Sequence, residues 1–320
     1  MILTFVEHEG GEAAAVSLEA ITLARRTAEA LGVPLHAILI GGGGREAAGS
    51  LSEYGVSASH IAALDGEFAP AAWAQCVVGA IERLGPRAVI AAGSDRGNEV
   101  MAYVGAKTGL PMAANCTEVT AGEPFIVTRM RWGGSLLEEA SITGTVKLLS
   151  IALHAVAPEP VVAPAELTID EFAPELTQDD LRVQVVDRVA ADSGKIALPE
   201  ARVVVGGGRG VGSAEGFRDL EELAELLGAA VGVSRAVTSL GWRPHAEQIG
   251  QTGTRIAPDL YIACGISGAI QHMVGCKAAK KILAINTDPE APIVTKADFA
   301  VIGDLHAVLP AVSEEIRHRR

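Results

Sequence analysis

The sequence has few aromatic residues and no long apolar run, and each of these shortages narrows the class of protein. Phe, Trp and Tyr make up only 4% of the 320 residues, although 49% are hydrophobic, so Ala, Val, Ile and Gly carry the apolar load. Such a composition is typical of parallel strands that are covered on both faces. No apolar run approaches the ~18 residues of a membrane span, so we expect no membrane insertion.

The beginning of the chain lacks the pattern of a targeting segment. It reads MILTFVEHEGGE, which passes directly from a strand pattern to acidic residues. It therefore resembles neither a secretory signal nor an Arg-rich transit peptide, and a cytoplasmic location is expected. The length suggests two domains.

The sequence also lacks paired cysteines and the spacing of a metal site. The four cysteines form no CxxC pair, which predicts small buried side chains in a reducing compartment. The histidines outside position 272 have no metal-site spacing with Cys or acidic residues. These residues are Cys76, Cys116, Cys264 and Cys276, and His8, His36, His60, His154, His245, His306 and His318.

Basic residues are scarce in the first part of the chain. Residues 1–187 hold 24 Asp and Glu against 11 Lys and Arg, whereas residues 188–320 hold 15 of each, so the first part carries the whole net charge of -13. Nucleic-acid binding is not expected, because phosphate contacts need a basic face. The acidic excess is either a solvated surface or a surface that steers a basic partner.

The first part of the chain alternates strand and helix patterns, which predicts a parallel sheet with helices on both faces. A hairpin with a turn at Gly133 and Gly134 follows from Phe125, and Lys147–Leu153 returns to the sheet. The predicted strands are Ile2–His8, Leu35–Ile40, His60–Leu64 and Ala88–Ala92, and the predicted helices are Ala14–Leu31, Pro70–Leu84 and Asp95–Thr108.

A proline-rich, acidic junction from Ala157 to Ser193 contains one predicted strand, Leu181–Asp187, and places a domain boundary between residues 187 and 188. After it, five strand patterns predict a compact parallel sheet of the nucleotide-binding type. A helix is expected over Ala214–Leu227, and Asp304 is expected to cap a last helix that ends near Arg317. The strands are Ala201–Val205, Ala230–Ser234, Tyr261–Cys264, Ile282–Asn286 and Phe299–Gly303.

The stretch Leu260–Asn286 is the most informative part of the sequence. Two apolar strand patterns flank a Gly-Ile-Ser-Gly turn that opens onto a helix start at Ala269. A strand that ends in such a turn exposes backbone N–H groups and the positive end of a helix dipole, which together favour an anion. Gln271 and His272 place a neutral donor and a titratable donor just inside that helix.

Three other polar segments follow strand patterns in this second domain. Gly206–Gly212 reads GGGRGVG, which lacks both the GxGxxG and the Walker pattern, so it is either a tight turn or a phosphate loop around Arg209. Val233–Ala236 places Ser234 and Arg235 beyond the carboxyl end of a strand. Glu247–Pro258 is a polar, glycine-punctuated loop, either a surface turn or a wrap around a ligand.

From about Ala201 to its end, the chain closely resembles the alpha subunit of electron transfer flavoprotein, whereas the first 190 residues resemble that family mainly in layout. The resemblance implies an electron carrier without substrate chemistry of its own, with one non-covalent FAD on residues 188–320. Residues 1–187 would pack against a beta subunit that holds AMP, forming a heterodimer. Electrons would come from flavin dehydrogenases, such as the acyl-CoA dehydrogenases of fatty acid beta-oxidation, and pass to a membrane quinone reductase.

The resemblance also assigns roles to residues. Arg235 would lie beside the isoalloxazine ring, Thr252 would reach its N5 nitrogen, and His272 would donate to the carbonyl on its pyrimidine side. Asn286 and Asp304 would hold the adenosine part. The full set of implied FAD contacts is Arg209, Ser234, Arg235, Gln248, Ile249, Gly250, Gln251, Thr252, Ser267, Gly268, Ala269, Ile270, Gln271, His272, Asn286, Asp304 and Leu305.

The residues themselves leave several alternatives open. His272 is either a donor to a ligand or a core histidine, and Asp304 is either a ligand contact or only a helix cap. Two other functions are a carrier subunit of a bifurcating complex with two flavins and a free-standing nucleotide-binding α/β enzyme. The enzyme would need a nucleophile or an acid–base pair over a phosphate, and the sequence shows no such set.

Overall fold

The computed structural model describes residues 1–132, 136–164, 166–185, 196, 198–199 and 201–319. The chain divides into two compact units, Met1–Arg188 and Val189–Arg320. Each unit is an α/β structure in which helices cover a sheet that is largely or wholly parallel, which confirms the predicted fold class.

The first unit contains a nine-stranded sheet in the order β11-β5-β4-β1-β6-β10-β7-β8-β9. Pairing is parallel from β11 to β7 and antiparallel for β8 and β9. The strands are β1 Ile2–Phe5, β4 Leu35–Ile40, β5 Ala58–Ala62, β6 Ala88–Ala92, β7 Met112–Thr120, β8 Phe125–Arg131, β9 Leu136–Ile142, β10 Lys147–Ile151 and β11 Thr168–Phe172, with β2 His8–Glu9 and β3 Glu12–Ala13 forming a separate small hairpin.

Helices α1 and α2 cover one face of this sheet, and α3 and α4 cover the other. Successive strand residues point to opposite faces, so Leu39 packs in one core and Ile38 in the other. Ser94 caps α4 by accepting a hydrogen bond from the Gly97 N–H at 2.8 Å. The helices are α1 Ala15–Leu31, α2 Gly44–Ala48, α3 Pro70–Leu84 and α4 Asp95–Thr108.

The strand predicted at Leu181–Asp187 is wrong for the described residues. Leu181 ends a 3-10 turn that begins at Gln178, residues 182–185 are not a strand, and residues 186 and 187 lie outside the described residues. The junction instead contributes β11, an acidic edge strand whose carboxylates pair with arginines. Asp170 pairs with Arg83 at 3.0 Å, and Glu171 pairs with Arg45 at 2.8 Å.

Two other differences concern the region around the hairpin. β7 was not predicted, because polar residues interrupt its sequence MAANCTEVT, yet it joins β10 to β8 in the sheet. The predicted antiparallel pairing of the hairpin is confirmed by β8 and β9, but its Gly133-Gly134 turn lies outside the described residues. The short strands β2 and β3 were not predicted either, and the remaining strands of both units match their predictions with ends shifted by three residues at most.

The second unit has five parallel strands in the order β13-β12-β14-β15-β16, which confirms the predicted five-stranded sheet. Helices α5, α6 and α9 pack on one face, and α7 and α8 on the other. A 3-10 turn occupies Glu215–Phe217, so the helix predicted from Ala214 begins only at Arg218. The elements are β12 Val203–Gly207, β13 Ala230–Val233, β14 Leu260–Cys264, β15 Ile282–Asn286, β16 Phe299–Ile302, α5 Arg218–Leu227, α6 Arg235–Ser239, α7 Ile270–Cys276, α8 Pro292–Lys296 and α9 Leu305–Arg319.

All four cysteines are free and buried, as predicted. Burial raises the pKa of each thiol to about 12, so none is a reactive thiolate at neutral pH. Among the described residues, no helix is long and apolar enough to cross a bilayer, and no group of His, Cys, Asp and Glu has the arrangement of a metal site.

A buried ion pair fixes the segment after β11 to helix α4. Asp180 is 4% exposed and accepts hydrogen bonds from Lys107 Nζ at 2.5 Å and from the Thr177 N–H and hydroxyl, both at 2.8 Å. Burial by itself would raise the pKa of this carboxyl. The bonds from Lys107 and Thr177 outweigh burial, so the pKa lies below its ordinary value.

Replacing Asp180 by Asn should lower the free energy of unfolding at pH 7 by about 1–3 kcal/mol, because Lys107 loses its charged partner. A depressed carboxyl pKa stabilises the fold above the unfolded value of about 3.9 and loses that contribution as the pH falls through the folded value. The variant should therefore show a shallower acid-side loss of melting temperature. Asp179→Asn is the control, since Asp179 is exposed and pairs with the exposed Arg182. Equal melting temperatures for both variants at pH 7 would contradict the prediction.

Candidate functional site

The loops that leave the five parallel strands of the second unit all meet at one edge of the sheet. The strand order places the topological switch point between β12 and β14, because the chain goes from β12 to a neighbour on one side and then returns on the other. Ligands of doubly wound sheets bind at the carboxyl edge beside such a point. The loops there contain Gly208–Gly212, Ser234–Arg235, Gly265–Ala269, Asn286 and Gly303–Leu305.

Two glycine-rich loops touch through their backbones at this switch point. The Gly208 N–H donates to the Cys264 carbonyl at 2.9 Å, and the Gly210 N–H donates to the Gly265 carbonyl at 3.0 Å. A Cβ on Gly208 would lie 2.2 Å from the Gly265 carbonyl oxygen, and one on Gly210 would lie 2.7 Å from Gly265 Cα. Only glycine fits at these positions, so the GGGRGVG segment is a close backbone contact as well as a turn.

Two arginines stand on neighbouring loops without a carboxylate partner. Arg209 lies between Gly208 and Gly210 and is exposed, and Arg235 is exposed at the start of α6. Neither makes an ion pair within the described ranges, whereas four of the eight arginines described in this unit do. The Ser234 N–H donates to the Gly207 carbonyl at 3.0 Å, which fixes the two loops side by side. Two free guanidinium groups at one sheet edge favour an anionic ligand.

The polar loop from Gln248 to Thr252 is anchored on both sides. The Ile249 N–H donates to the Val233 carbonyl at 2.8 Å, and the Gln251 N–H donates to the Gln271 carbonyl at 2.7 Å. These bonds connect the loop to the end of β13 and to α7. The loop is therefore part of the sheet edge and not a free surface turn.

The buried side chain of Gln248 orients Thr252. Its Oε1 accepts from the Thr238 hydroxyl at 2.7 Å, and its Nε2 donates to Thr252 Oγ1 at 3.1 Å. The Thr252 hydroxyl thus accepts one hydrogen bond and retains its own proton for another acceptor. Thr252 is exposed, so that proton is accessible from solvent.

His272 lies in the core, which agrees with the alternative interpretation of a core histidine. Its Nε2 lies 2.8 Å from the hydroxyl of Tyr261, which is completely buried. Burial lowers the pKa of His272 to about 4, although the Ile249 carbonyl acts in the opposite direction, so the ring is neutral at pH 7. Nδ1 is buried, and among the described residues it makes no hydrogen bond of ordinary geometry, although the Ile249 carbonyl lies close enough to affect the pKa of the ring.

Several predicted contacts already have structural roles. Asn286 Nδ2 donates to the Ile266 carbonyl at 2.9 Å, and its Oδ1 accepts from the Asp288 N–H at 3.1 Å. Asp304 Oδ1 accepts from the His306 N–H at 3.0 Å, which confirms the helix cap. Leu305 is buried beside Gly265.

The structure brings all seventeen predicted residues to this edge, but in different environments. Three residues that fix them were not predicted, because neither composition nor spacing distinguishes Thr238, Tyr261 and His306 from ordinary strand or helix residues. Arg209, Arg235, Thr252, Ser267, Ala269, Ile270, Gln271 and Asp304 are exposed, Ser234, Gln251 and Asn286 are half-buried, and Gln248, Ile249, Gly250, Gly268, His272 and Leu305 are buried.

An all-parallel sheet with glycine-packed loops at its switch point, beside two arginines that make no ion pair with the described residues, is typical of a nucleotide-binding α/β domain. Comparison with known families agrees. Residues 197–277 match the electron transfer flavoprotein FAD-binding domain, and residues 2–177 match the electron transfer flavoprotein domain.

Relatives cover nearly the whole chain. The electron transfer flavoprotein subunit alpha of Bacillus subtilis is 36% identical over 99% of this chain and 97% of its own length. The subunit of the same name from Clostridium acetobutylicum is 34% identical over 99% and 96%, and Protein FixB of Clostridium saccharobutylicum is 34% identical over 97% and 94%. The chain belongs to the electron transfer flavoprotein alpha-subunit family. Such proteins are electron carriers rather than enzymes, which is the class predicted from the sequence.

Replacing Tyr261 by Phe should lower the free energy of unfolding by about 1–3 kcal/mol, because it leaves both ring nitrogens of the buried His272 without a hydrogen bond. Thermal unfolding followed by circular dichroism measures the change. Tyr103→Phe is the matched control, since the Tyr103 hydroxyl makes no hydrogen bond within the described ranges and the ring is half-buried. A Tyr261 variant as stable as the Tyr103 variant would show that the 2.8 Å contact contributes nothing.

Proposed function

We propose that this chain binds one FAD, without a covalent link, at the carboxyl edge of the second sheet and relays electrons through it. The single observation that carries the proposal is that Arg209 and Arg235 lie beside the switch point without an ion-pair partner among the described residues. The family match over residues 197–277 supports FAD as the nucleotide. When bound, FAD supplies the ring that accepts and donates electrons.

The residues present fit an anionic dinucleotide. Arg209 offers a planar set of donors between two glycines whose backbones leave no room for side chains. Ser234 precedes α6, yet its hydroxyl does not cap that helix and remains open to a ligand. Among the described residues, the Thr252 hydroxyl proton has no acceptor and His272 Nδ1 makes no hydrogen bond of ordinary geometry. A polar ligand would provide the hydrogen-bond partners that these groups lack among the described residues.

Some of these residues would act on the cofactor through their charge and others through hydrogen bonds. Arg209 would hold the pyrophosphate, whereas Arg235 would place a fixed positive charge beside the flavin ring and so favour its reduced, anionic form. The hydroxyl of Thr252 would donate at the flavin N5 nitrogen. Ser267, Gly268, Ala269, Ile270 and Gln271 would line the cofactor along the loop after β14 and the first turn of α7.

The pairing with Tyr261 determines what His272 can do. If the Tyr261 hydroxyl donates to Nε2, the neutral ring carries its proton on Nδ1 and has one N–H left to give. That tautomer would allow His272 to donate to the carbonyl on the pyrimidine side of the flavin. Asn286, Asp304 and Leu305 would contact the adenosine part mainly through shape and backbone, since their side chains are engaged or buried.

The wider setting is also a proposal. Electrons would come from flavin dehydrogenases, such as those of fatty acid beta-oxidation, and leave for a membrane quinone reductase in a cytoplasmic pathway. The FAD domain would be residues 188–320, and residues 1–187, which carry the whole acidic excess, would pack against a beta subunit that holds AMP. A bifurcating complex remains the second candidate, which the beta subunit would decide.

Co-expression with the partner subunit should yield a yellow complex that releases one FAD per alpha chain on denaturation. Arg209→Gln should weaken FAD binding by about tenfold or more, because a charge-assisted hydrogen bond contributes about 1.5–3 kcal/mol. Equilibrium dialysis with FAD measures both affinities. Lys296→Gln is the control, since Lys296 is an exposed cation at the end of α8, on the opposite edge of the sheet. A complex that stays colourless with added FAD would disprove the proposal.

Arg235→Gln should lower the midpoint potential of the bound cofactor by roughly 30–60 mV, since a tenfold change in the redox equilibrium corresponds to about 30 mV for two electrons and 59 mV for one. Loss of a cation beside a ring that becomes negative makes reduction harder. Arg235→Lys keeps the charge and should stay near the wild-type potential. A spectroelectrochemical titration that finds equal potentials for all three proteins, with FAD bound, would place Arg235 away from the ring.

A further inference from the structure

His306 connects the last helix to the loop that carries Arg209. Its Nε2 lies 3.1 Å from the Val211 carbonyl, and its Nδ1 lies 3.3 Å from Asp219 Oδ2 on α5. The backbone N–H of His306 donates to Asp304 Oδ1 at 3.0 Å, so hydrogen bonds fix both the backbone and the ring of this residue. None of the proposed FAD contacts explains this arrangement.

Both partners of the His306 ring can only accept hydrogen bonds from it. A backbone carbonyl has no proton, and an ionised carboxylate has none either, whereas a neutral imidazole has one N–H to donate. The neutral ring can therefore satisfy Val211 or Asp219 but not both. The imidazolium form donates from both nitrogens at once and forms a charge-assisted bond to Asp219.

The Val211 carbonyl belongs to the tight turn that presents Arg209. The Val211 N–H donates to the Gly208 carbonyl and the Gly212 N–H to the Arg209 carbonyl, both at 3.1 Å. Val211 itself is buried in the core on the face covered by α5 and α9. Fixing its carbonyl from α9 therefore fixes the orientation of the turn.

We propose that protonated His306 is a positioning residue, which holds the Gly208–Gly212 turn against α5 and α9 and so orients Arg209 toward the anionic part of its ligand. The inference rests on the proposed binding of FAD at this edge. It adds that the affinity of the site depends on the protonation of His306. The residue itself does not touch the ligand.

Asp219 contacts the His306 ring, and each element around the ring carries further charged residues. They are Arg218 on α5, Glu215 in the turn before α5, Arg209 on the loop and Asp304 at the start of α9. Among these types of side chain, the imidazole is the one that ordinarily changes charge between about pH 5 and 8.

The test is the dissociation constant of FAD from the complex of both subunits, measured from pH 5.5 to 8.5. Wild type should bind about two- to fivefold more weakly at high pH, the size of effect that a partly exposed charged pair gives. His306→Gln should bind weakly throughout and lose most of this pH dependence. His318→Gln is the matched control, because His318 is an exposed histidine near the other end of α9 and should keep the wild-type profile.

Asp219→Asn separates positioning from general loss of structure. An amide can accept from a ring N–H or donate to a ring nitrogen, so the two-donor requirement disappears and the pH profile should flatten even if the fold is intact. Nitrogen NMR of the imidazole in the complex should show both ring nitrogens of His306 protonated at pH 6. A wild type that binds no FAD refutes the proposed function, whereas FAD binding with the same pH profile in wild type, H306Q and D219N overturns this inference alone.

Discussion

The approach of two backbones at the switch point, Gly208 against Gly265, is the constraint on which the second unit depends. Because the separation leaves no space for a Cβ, β12 and β14 can bring their loops into direct hydrogen-bonded contact. That contact positions Arg209 outward, sets Ser234 beside it through the Gly207 carbonyl, and places the start of α7 within reach of the Gln248–Thr252 loop. The contact between main chains thus sets the frame in which the side-chain hydrogen bonds of the site form.

Hydrophobic patterning predicted most of the fold because buried parallel strands are apolar runs with clear ends. Helices α3 and α4 could be predicted to the residue, since Pro70, Gly85, Ser94 and Gly109 mark their ends chemically. β7 and β11 could not. Polar residues interrupt β7 inside the sheet, and the acidic residues of β11 pair with arginines at its edge. A stretch such as TIDEF therefore has no apolar signal, and only pairing with β5 makes it a strand.

The location of the site could be predicted, but not the internal bonding of its residues. Polar loops after parallel strands must converge on one edge, and the sequence shows which loops these are. It does not show that Asn286 already uses its amide on Ile266, or that His272 pairs with a tyrosine eleven residues earlier in the chain. Such partners depend on side-chain directions in three dimensions, and Tyr261 looks like any other residue of an apolar strand.

His272 Nδ1, which makes no hydrogen bond of ordinary geometry with the described residues, connects stability with function. A buried polar atom without a hydrogen bond costs on the order of 1–3 kcal/mol, and an apolar side chain of similar size would avoid that cost. The rest of the Gln248–Thr252 region is closely satisfied, down to the hydroxyls of Thr238 and Thr252. Proteins keep such local violations mainly where a ligand or a reaction needs them. The cost at Nδ1 therefore supports one explanation for both the core position of His272 and its proposed role toward a ligand. A donor that Tyr261 holds in place and that is shielded from water forms a stronger hydrogen bond to a ligand than a solvated donor would.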